Sequence, residues 1–363
     1  MGPTSSALII VVAAAAALVP LIAVTVAWWR SRSLQPELGW PRRLLGAVGR
    51  LAVIGLCQVL AIGAIFLVVN RSYGFYTTWN EIFGVQQSQP VDIGVQEGGY
   101  DAGTGRVETL DINGAVSGVH GQALVWLPRQ YFAPTAADRK FPVMMVLPGQ
   151  PSSPGIMYNE YHIGTVASQA IDSGAVKPFI AVLPPIMINP PRDTECVNVP
   201  HGPQAESWLT KDVVSAVTAR YHVQPLSKGW SVMGWSTGGL CASKLALRYP
   251  TLFPDAISFG GMGHAYVDKT TGNLFGGSAQ LRAENSPFNL YRSNPGTKGA
   301  KLMFVAGQQD KEVWTSLQPL LALTQGDPNV AVATFAVGGH NDKIYSSYLP
   351  AALNWLQKNG AFA

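Results

Sequence analysis

The chain has 363 residues, enough for one large catalytic domain plus an appendage, and only 13% of them are charged against ~25% in a typical soluble domain. The net charge of +4 sits in the first 70 residues, where five arginines face Glu37 alone, and the remainder is balanced. That balance excludes a basic nucleic-acid-binding face, and three cysteines exclude a disulfide-rich scaffold or a cysteine-based zinc cluster.

Residues 7–29 contain no charge. As a helix they cover about 34 Å, enough to cross a ~30 Å hydrocarbon layer. A second apolar stretch covers about residues 45–70 and includes Cys57, a small apolar packer. Trp28 and Trp29 close the first span, where amphipathic rings favour the headgroup region, and Pro20 is tolerable inside it. A cleaved signal peptide is the alternative, but it needs a basic start, and no Lys or Arg precedes Arg30. Residues 1–70 are therefore expected to form a two-helix membrane anchor. The arginines between the spans assign that loop to the cytoplasm and the rest of the chain to the outside. Residues 71–104 read as a linker and 105–363 as the extracytoplasmic domain.

In that domain β-rich runs alternate with helical patterns. Arg106–Ile112 and Gln122–Leu127 suggest a hairpin. Short apolar runs follow at 141–147, 179–183, 230–235, 256–259, 302–305 and 330–337. Helical patterns fall near 160–173, 205–220, 238–249, 312–325 and 343–358. Buried strands alternating with helices predict a mostly parallel sheet covered on both faces, the α/β class.

The chemistry-bearing motif is Gly234-Trp235-Ser236-Thr237-Gly238, which fits G-x-S-x-G between a β-rich run and a helical one. That context is a nucleophile elbow, with Ser236 Oγ presented beside a helix N-terminus. A serine hydroxyl needs a base. Among six histidines only His340, in a Gly-Gly-His-Asn turn, follows the last strand and precedes the last helix. His264, after the strand that follows the elbow, is expected in a pocket wall. The acid should follow a strand between Ser236 and His340. Asp310 does so, and Glu312 is the rival. An oxyanion hole takes the N–H of Thr237 and one from the loop after an early strand, Gln150 first and Gly149 second. Cys196 and Cys241 both lie in the outer domain and are expected to flank the site. A disulfide between them is permitted by that compartment. Gly-rich residues 261–298 carry Met262, Tyr266, Leu274, Phe275 and Phe288. They suit a mobile flap with apolar contacts for an acyl chain, or plain cover for the sheet edge.

The run Gly234–Pro250 (GWSTGGLCASKLALRYP), with Phe253, Gly260-Gly261 and the Gly339-His340-Asn341 turn, resembles the Putative esterase family of α/β hydrolases. That family includes esterase D, feruloyl esterases and the antigen 85 mycolyltransferases. The resemblance spans about residues 105–358. It implies the α/β-hydrolase fold, the Ser236, Asp310, His340 assignment and ester chemistry without metal or cofactor. The expected activity is that of a membrane-anchored serine esterase acting on a lipid ester, an acylated sugar or an aminoacyl lipid. The alternatives are acyl transfer of the antigen 85 type and a catalytically silent binding module.

Overall fold

The computed structural model describes residues 5–33, 40–73, 103–293, 299–336 and 342–362, together with residues 2, 79, 339 and 340. The chain divides into two compact units, Met1–Gln87 and Ser88–Ala363. The expected linker 71–104 lies outside the described residues, its two ends and residue 79 excepted.

The first unit is a pair of helices, α1 (Ser6–Ser33) and α2 (Trp40–Tyr73). Within them, Ser6–Trp29 and Val48–Arg71 are long and apolar enough to cross a membrane, with mean hydropathy 2.9 and 2.7. Helix α2 starts some five residues earlier than the apolar pattern suggests, because Pro41 falls in its first turn, where its missing N–H costs nothing. Arg71 near the end of α2 donates to the hydroxyl of Ser6 at the start of α1, so the pair is antiparallel. Large apolar side chains face outward on both helices: Leu21 is 63% and Ile62 68% exposed. Water would penalise such surface, and lipid would not.

The second unit is an α/β fold on a single sheet of eight strands among the described residues, in the order β1-β2-β4-β3-β5-β6-β7-β8. The strands are β1 (Arg106–Asn113), β2 (His120–Leu127), β3 (Val143–Leu147), β4 (Ile180–Leu183), β5 (Ser231–Trp235), β6 (Asp255–Phe259), β7 (Lys301–Gly307) and β8 (Val330–Phe335). β1, β2 and β4 pair antiparallel, and all later neighbours pair parallel. Each expected strand is present.

The parallel strands read as unbroken apolar runs because both faces of the sheet are covered. Along β3, Val143, Met145 and Leu147 enter one core cluster, while Met144 and Val146 enter the other. The first cluster is covered by α5 (Val213–Arg220) and α6 (Thr237–Arg248), the second by α4 (Ile163–Asp172) and α11 (Leu349–Lys358). The remaining helices are α3 (Pro154–Glu160), α7 (Ala279–Glu284), α8 (Pro287–Ser293), α9 (Lys311–Leu323) and α10 (Asp342–Ser346). Burying each side chain of this size contributes about 1.5–3 kcal/mol.

The helical pattern at 205–220 is not one regular helix. A wider π turn spans Trp208–Asp212 before α5 begins. It carries Trp208 into the core, and the Asp212 carboxylate accepts from the backbone N–H groups of Val116 and Ser117. The short helices α3, α7 and α8 have no counterpart in the sequence reading, being too brief to show a period.

Candidate active site

Register fixes where the loops leave the sheet. Leu147 of β3 is level with Gly234 of β5, Phe259 of β6 with Val305 of β7, and Gly307 of β7 with Phe335 of β8. The loops carrying Gln150, Ser236, Asp310 and His340 therefore emerge at one edge, the carboxyl ends of parallel strands, where such sheets gather functional groups.

Ser236 sits at the turn from β5 into α6 with φ 58° and ψ −121°. That is a sparsely populated conformation for a residue with a Cβ, costing roughly 1–3 kcal/mol. Its N–H donates to Phe259 O at 2.8 Å, which ties the turn to β6. The flanking glycines are forced by close packing. A Cβ on Gly234 would lie 2.1 Å from Gly238 O, and one on Gly238 would lie 2.2 Å from Leu147 O.

The structure brings Ser236, His340 and Asp310 together. His340 Nε2 is 2.8 Å from Ser236 Oγ, and His340 Nδ1 is 2.6 Å from Asp310 Oδ2. Asp310 ends the loop after β7 and is 4% exposed, while the His340 side chain is 35% exposed. An imidazole shared in this way is open to a substrate on one side and to a buried carboxylate on the other. Glu312, the rival acid, has no such contact and lines the neighbouring cleft from the first turn of α9.

Two aromatic side chains that the sequence reading missed hold this arrangement. The Trp235 ring stacks on the His340 imidazole with centroids 5.0 Å apart and an interplanar angle of 18°. Tyr345, fully buried on α10, donates its hydroxyl to Asp310 Oδ2 at 2.8 Å and accepts from Gly307 N–H at 3.2 Å. Burial, and then the Asp310 charge, push the Tyr345 phenol well above its ordinary range, so it remains a donor. Trp235 is the variable position before the serine, and Tyr345 sits five residues past the histidine; neither residue type is signalled by the motif.

Thr237 opens α6, where a backbone N–H has no acceptor within the helix. Its hydroxyl donates to Asp193 Oδ2 at 2.8 Å. The loop after β3 lies against the elbow, since a Cβ added to Gly149 would come within 3.0 Å of Ser236 Cβ. Gln150 follows in that loop and lines the cleft with Ser236, Thr237 and His340.

The cleft has a volume of about 230 Å³. Its acidic lining is Asp193, Glu195, Asp268, Asp310 and Glu312, and its larger nonpolar surfaces come from Met262, Tyr266 and Val313. Glu195 is 2% exposed. Its Oε1 accepts from Tyr266 N–H at 2.8 Å, and its Oε2 has no hydrogen-bond partner among the described residues. Burial pushes its carboxyl up to about 8.

A disulfide joins Cys196 to Cys241, tying the Asp193–Cys196 loop to α6. One turn further along α6, the buried Lys244 Nζ donates to Glu195 O and Cys196 O, both at 2.7 Å, and to Asn285 Oδ1 at 3.2 Å. Burial lowers the Lys244 ammonium to about 8. Glu195 and Cys196 both have positive φ, 44° and 54°, in this loop.

Two expectations fail here. His264 is absent from the cleft lining; its ring packs on Phe288 with centroids 4.8 Å apart. The described part of residues 261–298 does not offer an apolar flap. Leu274 and Phe275 are buried with Val197, Val199 and Ala265 in a small separate core, and Phe288 packs against the main one. Leu274, Phe275 and Phe288 are spent holding the segment down, and Met262, Tyr266, Asp268, Thr270 and Thr271 are what it turns toward the cleft.

Comparisons with known proteins agree with this fold. A curated relative, an uncharacterized protein of Corynebacterium glutamicum, is 22% identical over 250 residues, which cover 66% of this chain and 57% of the relative. The chain thus matches little more than half the length of that relative. Solved structures share the fold. A ferulic acid esterase aligns at TM-score 0.61 and 16% identity, covering 70% of this chain and 98% of its own. An S-formylglutathione hydrolase from Agrobacterium tumefaciens aligns at 0.59 and 14%, covering 71% and 96%. A fluorophosphonate-binding serine hydrolase of Staphylococcus aureus aligns at 0.58 and 17%, covering 70% and 99%. Residues 119–357, more than half of the chain and the part that holds the elbow and both of its partners, match the family described as Putative esterase, and to that family the chain belongs.

Proposed function

We propose that the chain is a membrane-anchored serine esterase with its catalytic domain outside the cytoplasm. The observation that carries this reading is the continuous hydrogen-bond chain from Ser236 Oγ through His340 to Asp310, at 2.8 and 2.6 Å, on an elbow backbone that strains the serine outward.

In this mechanism Ser236 Oγ attacks the ester carbonyl carbon while His340 Nε2 takes its proton. The carbonyl oxygen becomes an oxyanion held by the N–H groups of Thr237 and Gln150. The tetrahedral species collapses, the alkoxide leaves with the proton from His340, and an acyl group remains on Ser236. A water then gives its proton to His340 and attacks the acyl carbon; the acid departs and Ser236 regains its proton. Asp310 accepts from Nδ1–H and holds the ring tautomer, so Nε2 is the free base. Tyr345 holds the carboxylate, and Trp235 holds the ring plane.

The location rests on the two apolar helices, the arginines between them and the Cys196–Cys241 disulfide, which persists in oxidising compartments. Hydrolysis of short p-nitrophenyl esters by the purified full chain in detergent tests the activity. The wild type should turn over, and Ser236→Ala should lose roughly 10⁴-fold or more in kcat. Undiminished turnover in Ser236→Ala would refute the assignment.

A further inference from the structure

We propose that the ester taken by this site carries an organic cation, such as a protonated amine, seated against Glu195 and Glu312. This rests on the serine-esterase reading and names its substrate class. Among the described lining residues, five carboxylates face a single imidazole, and no Lys or Arg joins them.

Three of the five carboxylates are already engaged. Asp310 holds His340 and Tyr345. Asp193 accepts from Thr237 Oγ1 and from Glu195 N–H. Asp268 accepts from the N–H groups of Thr270 and Thr271. Glu195 and Glu312 differ. Glu195 is buried, lines the cleft and keeps Oε2 without a hydrogen-bond partner among the described residues. A buried carboxyl oxygen with no partner is unfavourable unless a ligand or water supplies a donor. Glu312 lies on the exposed first turn of α9 and lines the same cleft.

Two cations bonded to the lining segments are directed elsewhere. Lys244 Nζ is spent on two carbonyls and Asn285 behind the wall, and Arg192 Nε donates to Thr271 O at 2.8 Å. An ammonium entering the cleft meets acceptors, whereas a carboxylate or phosphate meets repulsion. Burial favours the protonated Glu195 carboxyl, whereas a cation alongside favours the carboxylate and draws it into an ion pair.

The test uses two pairs of esters matched in shape. Methyl 6-aminohexanoate against methyl heptanoate puts the charge in the acyl part. Butyrylcholine against 3,3-dimethylbutyl butyrate puts it in the alcohol. With the full chain in detergent, the cationic member of at least one pair should show kcat/KM about 10-fold higher. That ratio should fall toward one in Glu195→Gln, which preserves the acceptor used by Tyr266 N–H, and in Glu312→Gln, which alters an exposed side chain. Calorimetric binding of the same esters to Ser236→Ala reads the preference without turnover. No cationic preference in binding, or a preference untouched by both glutamine variants, overturns the inference while Ser236-dependent cleavage of the neutral esters leaves the esterase reading standing. Preferential cation binding to Ser236→Ala, with no turnover by the wild type, supports the cation seat at Glu195 and Glu312 and removes the esterase reading.

Discussion

The two sides of the cleft are built in opposite ways. On one side, Ser236, Asp310 and His340 hang from the ends of β5, β7 and β8, so the sheet register places them. On the other, Asp193, Glu195 and Asp268 sit on loops that belong to no strand, held by a disulfide, a buried lysine and side-chain bonds to backbone. The first side derives its precision from packing of the core, and the second from a few discrete links. Reaction geometry and substrate choice are therefore separable by mutation in this fold.

The largest expected effect falls on the sheet side. His340→Ala should lower kcat by roughly 10⁴-fold or more, and the double variant with Ser236→Ala should lose little beyond either single one, because the residues act as a unit. Additive losses, measured by steady-state kinetics, would show that the two side chains work independently.

Next is the link that holds the loop side. Replacing both Cys196 and Cys241 by Ser opens a loop of 45 residues, and the chain-entropy model assigns it about 4 kcal/mol. Denaturant melts of the α/β domain within the full chain should show a loss of that order. The remaining folded protein should keep ester turnover better than it keeps any discrimination among substrates. Equal loss of both would mean that the two sides are not separable.

Tyr345→Phe removes one donor from the Asp310 carboxylate. A hydrogen bond to a charged group contributes about 1.5–3 kcal/mol, so kcat/KM should fall by one to two orders of magnitude with KM little changed. An unchanged kcat would assign Tyr345 to packing alone.

The smallest effect concerns pH. The Glu160 carboxyl, at the end of α3, is pushed up to about 7 from an ordinary 4.5, first by its hydrogen bond with the Asp342 side chain and then by burial. Asp342 begins α10, two residues after His340. The folded state holds this proton more tightly than the unfolded one. Its contribution is therefore complete below about pH 4.5 and is lost as pH rises through about 7. After discounting for partial exposure it amounts to about 1 kcal/mol. Thermal melts from pH 5 to 8 should show the decline, and Glu160→Gln should flatten it. A slope unchanged in that variant would locate the titration elsewhere.

The same contrast explains what the amino-acid sequence discloses. Ser236 is legible because a G-x-S-x-G run between a strand and a helix is a local pattern. Asp310 and His340 are legible because they follow β7 and β8, whose apolar runs are plain. Glu195 is not, because its approach depends on Cys241 and Lys244, more than forty residues away, and the loop around it has no period. Leu274 and Phe275 show why the flap expectation failed. Residue type announces that they will be buried, but only the tertiary structure says that Val197 and Val199 bury them, not a substrate. The π turn at Trp208–Asp212 is likewise hidden, since one extra residue in a turn leaves the apolar pattern almost intact.

The central claim is that Ser236, activated through His340, is the nucleophile. The most direct measurement is peptide mapping of the full chain after reaction with a fluorophosphonate, with labelling rates compared between wild type and His340→Ala. The account predicts a single phosphonyl adduct on Ser236, formed at least 100-fold more slowly in His340→Ala. An adduct on another residue, or equal rates in the two proteins, would contradict it.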